Sequence, residues 1–216
     1  MRNKRKKPKT EEIISLVKNL PYFRIEDLKE LVKKESYLKI FLSRFEKRER
    51  IFRLKKGFYV SKDFIDEIEK KAELSFYLEF LANLLYSPSY LSFEYVLGKY
   101  NALTEAVKNF TSVSTKKTNS FSNKFGNFLN YKIKKELFCG FKIKKNGGFL
   151  ICEATKAKAL FDFLYLRKNL ILDKKATKEL RINIEIFNEK DKKEFKKYIK
   201  IEGSEKLKKI FNWLFE

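Results

Sequence analysis

The chain has 216 residues, 44% of them hydrophobic and 16% aromatic, which is enough apolar side chain for one small and one medium domain and excludes general disorder. It has no histidine and only two cysteines, Cys139 and Cys152. Ser-His and Cys-His nucleophiles, a disulfide framework and an ordinary four-ligand zinc site are therefore excluded, and no enzyme, cofactor or metal is expected. The most apolar window, Leu74 to Tyr86, is broken by Glu79 and Asn83, short of the ~18 uncharged residues of a membrane helix. Glu11, Glu12, Lys18 and Asn19 likewise interrupt any apolar run after the basic start, so a cytoplasmic protein without membrane contact is expected.

The formal net charge is +22, and its distribution says more than its size. Residues 1–60 carry 19 basic and 8 acidic side chains, whereas residues 61–216 carry 31 and 20, the same surplus over more than twice the length. Seven of nine arginines, Arg2, Arg5, Arg24, Arg44, Arg48, Arg50 and Arg53, fall in the first 53 positions of a chain that otherwise uses lysine. Compositional bias can supply lysines, but it does not explain that clustering. Arginine's planar fork suits bidentate contact with guanine and phosphate.

In chain order, residues 1–9 read as a basic flexible arm. Thr10 is placed to cap a helix with Glu11 and Glu12 in its first turn and Ile13, Leu16, Val17 and Leu20 on its apolar face, closed by Pro21. Tyr22 to Ile25 reads as extended, and Glu26 and Asp27 open a second helix carrying Leu28, Leu31 and Val32. Ser36 is placed to cap a third, in which Leu38, Phe41, Leu42 and Phe45 form one stripe and Tyr37, Lys39, Ile40, Ser43, Arg44, Lys47 and Arg48 lie outside or at its edges. Arg50 to Leu54 and Phe58 to Val60 read as two strands joined by a turn at Gly57. Three helices and a basic hairpin over residues 10–62 predict a winged helix-turn-helix domain, its third helix entering the major groove of double-stranded DNA. The residues expected to meet DNA are Arg5 and Lys6 of the arm, Ser36, Tyr37, Lys39, Ser43, Arg44, Lys47 and Arg48 of the third helix, and Arg50, Arg53, Lys55 and Lys56 of the hairpin.

Residues 63–86 read as connecting helices, stopped by Pro88. Residues 87–216 read as a mixed α/β domain: a turn from Ser87 into a short helix capped by Ser92, then strands at Phe110 to Thr115, Gly126 to Ile133, Phe138 to Lys144 and Phe149 to Glu153. Asn146-Gly147-Gly148 is the hairpin turn between the last two. Thr155 caps an apolar helix, Lys156 to Arg167, and two amphipathic helices follow, with Asn188 and Ser204 as caps and Gly203 between. The expected class is α+β, a winged helix-turn-helix domain followed by a small β-sheet flanked by helices.

The residues 53–60 (RLKKGFYV), Pro88-Ser89-Tyr90-Leu91-Ser92, the run Thr111 to Thr118, and residues 154–167 (ATKAKALFDFLYLR) occur in an order that resembles the AbiEi-type antitoxins, across most of residues 10–170. The resemblance implies a repressor that binds promoter repeats of its own operon through the winged helix. It also implies a C-terminal domain that counteracts a neighbouring nucleotidyltransferase-like toxin, as in type IV toxin-antitoxin systems of abortive phage infection; direct contact with the toxin is left open. A stand-alone winged-helix transcription factor with a ligand-sensing C-terminal domain is the alternative.

Thr115, Lys116 and Lys117 are candidates for the antitoxin function, since hydroxyls and ammonium groups suit phosphate, against the plainer reading of an exposed strand end. Glu153 and Lys156 lack the spacing of a nuclease site, and no phosphate-cradling Gly-x-x-x-x-Gly-Lys loop occurs. Asp162 reads as a core-edge carboxylate with Arg167 a candidate basic partner, more suited to a salt bridge than to catalysis.

Overall fold

A computed structural model of the chain describes residues 9–29 and 35–216. The fold is α+β and divides into two compact units, Met1–Tyr77 and Leu78–Glu216.

In the first unit, α1 (Lys9–Val17) starts ahead of Thr10, so the expected cap lies inside the helix. Ile13, Ile14 and Val17 are its buried face, whereas Leu16 and Leu20, expected in the core, are exposed. β1 (Phe23–Arg24) is followed by a 3-10 turn, Glu26–Leu28, in place of the opening of a second helix; Leu31 and Val32 lie outside the described residues. α2 (Glu35–Lys47) begins one residue before Ser36, which is therefore an exposed helical residue rather than a cap. Its stripe is as spaced in the sequence: Leu38, Phe41 and Leu42 are buried, with Phe45 packed against the same cluster as Ile13, Val17, Phe23, Ile51 and Tyr59.

β2 (Ile51–Lys55) and β3 (Phe58–Ser61) pair antiparallel, and β1 adds to β3, giving the order β1-β3-β2. Gly57, at φ +82°, takes the left-handed backbone of the turn between them, where a Cβ would be strained by conformation although nothing crowds it. α3 (Lys62–Lys70) is capped by Ser61, whose Oγ accepts from the Phe64 N–H at 3.1 Å and donates to the Lys18 carbonyl at 3.0 Å. α4 (Leu74–Leu85) carries the boundary between the units; Tyr77 belongs to the first and donates to the Pro21 carbonyl at 2.7 Å.

The second unit holds a six-stranded mixed sheet of order β6-β7-β5-β4-β9-β8. Its strands are β4 (Ser89–Leu91), β5 (Phe110–Ser114), β6 (Asn119–Asn123), β7 (Gly126–Lys132), β8 (Phe141–Asn146) and β9 (Phe149–Ala154). β4 and β6 were not expected: the first reads as a turn because Pro88 precedes it, and Asn119-Ser120-Phe121-Ser122-Asn123 has one apolar residue from which to read a period. β8 starts at Phe141, three residues later than expected. Gly147 and Gly148, at φ +52° and +81°, make the primed turn that the Asn-Gly-Gly run predicts.

The helices are α5 (Phe93–Lys99), α6 (Lys156–Arg167), α7 (Lys174–Glu179), α8 (Glu189–Glu202) and α9 (Glu205–Phe215). Thr155, Asn188 and Ser204 cap α6, α8 and α9 through side-chain oxygens, as the sequence predicts. Ser92 stands at the start of α5 without a capping bond, its hydroxyl being given to Asp162 instead. α7 was not expected, because its only buried residue is Thr177. Among the described residues no helix is long and apolar enough to cross a membrane.

Candidate nucleic-acid interface

The first unit collects cationic side chains on α2 and the β2–β3 hairpin. Because residues three, four and seven apart share a helix face, α2 has two unlike flanks beside its buried stripe. One flank holds Glu35, Lys39 and Glu46; the other holds Tyr37, Arg44 and, just past the helix end, Arg48. Ser36, Ile40, Ser43 and Lys47 lie between the flanks, opposite the stripe, and every one of these residues is exposed.

The acidic flank turns to the hairpin. Lys39, Ser43 and Glu46 line a groove of about 660 Å³ with Glu26, Glu35, Arg53 and Lys56. Carboxylates and cations there largely offset one another: Lys39 pairs with Glu35 at 3.0 Å, and that hydrogen bond and charge, with Lys29 nearby, hold the Glu35 carboxyl below its ordinary value. The opposite flank carries no carboxylate. Arg44, Lys47, Arg48, Arg50 and Arg53 make no ion pair with any described residue. Arg24, by contrast, donates to Asp27 at 3.1 Å, which raises its pKa and removes it from the free arginines.

On the hairpin, Arg53 faces Tyr59 in the strand register and is exposed; Lys56 is exposed beside Gly57; Lys55 is half-buried with its ammonium 4.3 Å from the Phe58 ring centre. The structure thus brings Lys39, Ser43, Arg53 and Lys56 to one groove, and sets Tyr37, Arg44 and Arg48 on the other flank of α2. Arg5 and Lys6 lie outside the described residues. The residues that sequence reasoning missed are Glu26, Glu35 and Glu46, which give the groove its negative charge; the 35, 39, 46 spacing was the signal available for the last two.

The second unit buries four charged side chains, Glu79, Glu153, Lys158 and Asp162. Asp162 is fully buried on α6 and pairs with the equally buried Lys158, not with Arg167 and not at the core's edge; Tyr90 and Ser92 donate to its other oxygen at 3.1 and 2.7 Å. Burial pushes the Asp162 carboxyl above its ordinary value against the pull of Lys158, Ser92 and Tyr90. Arg167 instead pairs with Glu94 and lies over the Phe163 ring at 3.9 Å. Glu153, also buried, accepts from Lys99 and Lys144, and Lys99 bridges to Glu79 at 2.7 Å. Burial works to raise the Glu153 carboxyl, yet the two lysine hydrogen bonds outweigh it and hold the group below its ordinary value. Lys156 pairs with Asp191 at 2.8 Å, away from Glu153.

Lys116 and Lys117 are exposed and Thr115 half-buried. The Lys116 ammonium donates to the Ser87 carbonyl and lies 5.8 Å from the Tyr86 ring centre, while the Lys117 carbonyl accepts from the Tyr86 hydroxyl. Arg167 and Arg181, the second unit's two arginines, line one pocket of about 450 Å³ with Glu94, Glu105 and Glu179. No protein-family model matches the chain, and no curated protein matches it.

Proposed function

We propose that the first unit is a winged helix-turn-helix domain that binds double-stranded DNA, and that the chain is a repressor and antitoxin of the AbiEi type, counteracting a nucleotidyltransferase-like toxin through its second unit. The observation that carries the DNA reading is the carboxylate-free cationic flank of α2, where Arg44 and Arg48, with Lys47 beside them on the outer face, have no ion-pair partner among the described residues. It is supported by the element order α1, β1, 3-10 turn, α2, β2, β3 and by the strand order β1-β3-β2, which suit a helix presented to a groove beside a two-stranded wing. The antitoxin part rests on the resemblance alone.

A salt series on promoter DNA with the full chain tests the reading. Replacing both Arg44 and Arg48 by Ala lowers the log-log salt slope by about 1 per arginine, whereas Lys39→Ala, which releases a cation already paired, leaves it nearly unchanged. An unchanged slope in the double variant overturns the assignment of that flank. Growth rescue from the adjacent toxin by the full chain tests the antitoxin part.

The pocket holding Arg167 and Arg181 favours one second reading, a transcription factor whose second unit senses a small ligand. On that reading Arg181→Ala abolishes a ligand-dependent change in DNA affinity and leaves ligand-free binding intact.

A further inference from the structure

The two edges of the six-stranded sheet are built differently. β8 carries Lys142, Lys144 and Lys145, the usual means of keeping an edge from pairing with another chain. β6 carries no charge at all, in a chain of net charge +22, and Asn119, Ser120 and Ser122 on it are exposed. It also lacks proline, and its pairing with β7 runs without a bulge from Asn119↔Asn130 to Asn123↔Gly126. The usual edge guards, a charge, a proline or a bulge, do not occur in this strand.

Its sequence is a palindrome, Asn-Ser-Phe-Ser-Asn, centred on Phe121. An antiparallel pair formed with a second copy about a two-fold axis through Phe121 sets Phe121 opposite Phe121, Ser120 opposite Ser122 and Asn119 opposite Asn123. Each is a favourable cross-strand pairing of rings, hydroxyls or carboxamides. The flanking lysines fall in step: Lys124 then faces Thr118 and Lys117 faces Phe125, so no two lysines oppose. Moving the axis to Ser120 would set Lys116 against Lys124, and moving it to Ser122 would set Phe121 against Asn123. Only the Phe121 centre matches the rings while keeping the lysines apart.

The packing of the sheet leads to the same place. Phe110, Phe128 and Phe121 form a stacked row across β5, β7 and β6, with centroids 5.1 and 5.4 Å apart and rings inclined by 15° and 16°. That spacing is close to the 4.7–4.9 Å between neighbouring strands, so a further strand brings the next ring to a similar distance. Among the described residues the row runs as far as Phe121, half-buried on the outermost strand of the sheet.

We propose that β6 is the self-association edge of this protein: two copies pair through it antiparallel, and their sheets become one sheet with a continuous row of phenylalanine rings. A partner of opposite charge is disfavoured because the strand offers it no charge to recognise. For two copies that repel each other elsewhere, an uncharged contact is the one available. The pairing is isologous and closes at two copies. It rests on the second unit alone and stands apart from the DNA and antitoxin readings.

Sedimentation of the full chain tests the proposal. A concentration-dependent monomer–dimer equilibrium is expected, as one strand pair buries little area. Ser120→Lys together with Ser122→Lys sets like charges across the axis at two exposed positions and shifts the chain to monomer. Ser120→Lys together with Ser122→Glu sets opposite charges there and restores the dimer. In a background of Cys139→Ser and Cys152→Ser, Phe121→Cys crosslinks two copies on oxidation, because directly opposed residues of an antiparallel pair hold their Cα atoms about 4.5–5.5 Å apart, within the span of a disulfide. A chain that stays monomeric up to roughly 1 mM, or a dimer indifferent to both charge pairs, overturns the proposal.

Discussion

The two units differ in whether they bury charge. In the first, Arg44, Lys47, Arg48, Arg50 and Arg53 stand in solvent without an ion-pair partner among the described residues, and the buried cluster from Ile13 to Tyr59 is hydrophobic throughout. In the second, Lys158, Asp162, Glu79 and Glu153 lie inside, tied into networks with Tyr90, Ser92, Tyr95, Lys99 and Lys144. A buried charge is tolerated only while its partners are present, whereas a free surface cation costs the fold almost nothing and remains available for a ligand. The first unit's free cations should therefore matter to binding and the second unit's buried charges to stability.

The sharpest test of that division is Lys158→Met. It leaves the Asp162 carboxylate buried with only two hydroxyl donors and is expected to destabilise the second unit by about 3–5 kcal/mol, as breaking a buried pair does. Adding Asp162→Leu should recover much of the loss, since the uncompensated charge goes with it, although Tyr90 and Ser92 then lose an acceptor. Urea denaturation of the single and double variants measures both. Equal destabilisation by the two would mean that the pair is not the source of the effect.

Next in size is Glu153. Its carboxyl is held below the ordinary value in the folded chain, so its contribution is present above the unfolded carboxylate value near ~4.3 and is lost as pH falls through the folded value. Glu153→Gln is expected to cost about 1.5–3 kcal/mol at neutral pH, as for hydrogen bonds to a charged group, with the gap from the parent chain closing as the solution is acidified. For Asp162, whose carboxyl burial displaces upward, linkage has the opposite sign and its contribution declines as pH rises. Thermal unfolding of Glu153→Gln and Asp162→Asn across pH 3 to 7 separates the two, and parallel pH profiles would break the distinction.

What the sequence made legible follows from the range of the forces involved. Helix stripes, side-chain caps and the Asn146-Gly147-Gly148 turn are fixed by neighbours in the chain, and so the stripe of α2 and the caps Thr155, Asn188 and Ser204 could be read directly. β4 and β6 could not, because their partners are distant in sequence and neither carries an alternating apolar pattern. Ser92 looks like a cap and is recruited instead by a carboxylate 70 positions away. Within the candidate interface, the free cations on α2 and the hairpin were visible as exposed positions of a known period. The pairing of Lys39 with Glu35, which divides α2 into a mixed flank and a cationic one, was visible only as a spacing of four.

The smallest expected effect bears on whether the second unit also keeps a free cation for a partner. Lys116 and Lys117 are adjacent and both exposed, yet the Lys116 ammonium is held by the Ser87 carbonyl and faces Tyr86, whereas Lys117 contributes its backbone carbonyl to Tyr86 and leaves its side chain in solvent. Lys116→Ala removes one exposed charged hydrogen bond and should cost less than about 1 kcal/mol; Lys117→Ala should cost still less, because its bond is accepted by its own backbone carbonyl, which alanine keeps. If this strand end meets a phosphate or a partner, the order reverses for function: Lys117→Ala reduces growth rescue from the adjacent toxin without a change in melting temperature, and Lys116→Ala reduces it only as far as it loosens the turn at Ser87. Melting curves and rescue assays on the two single variants read both quantities. Rescue untouched by Lys117→Ala would leave the second unit without an assigned free cation there, and its charge would be wholly structural at this edge.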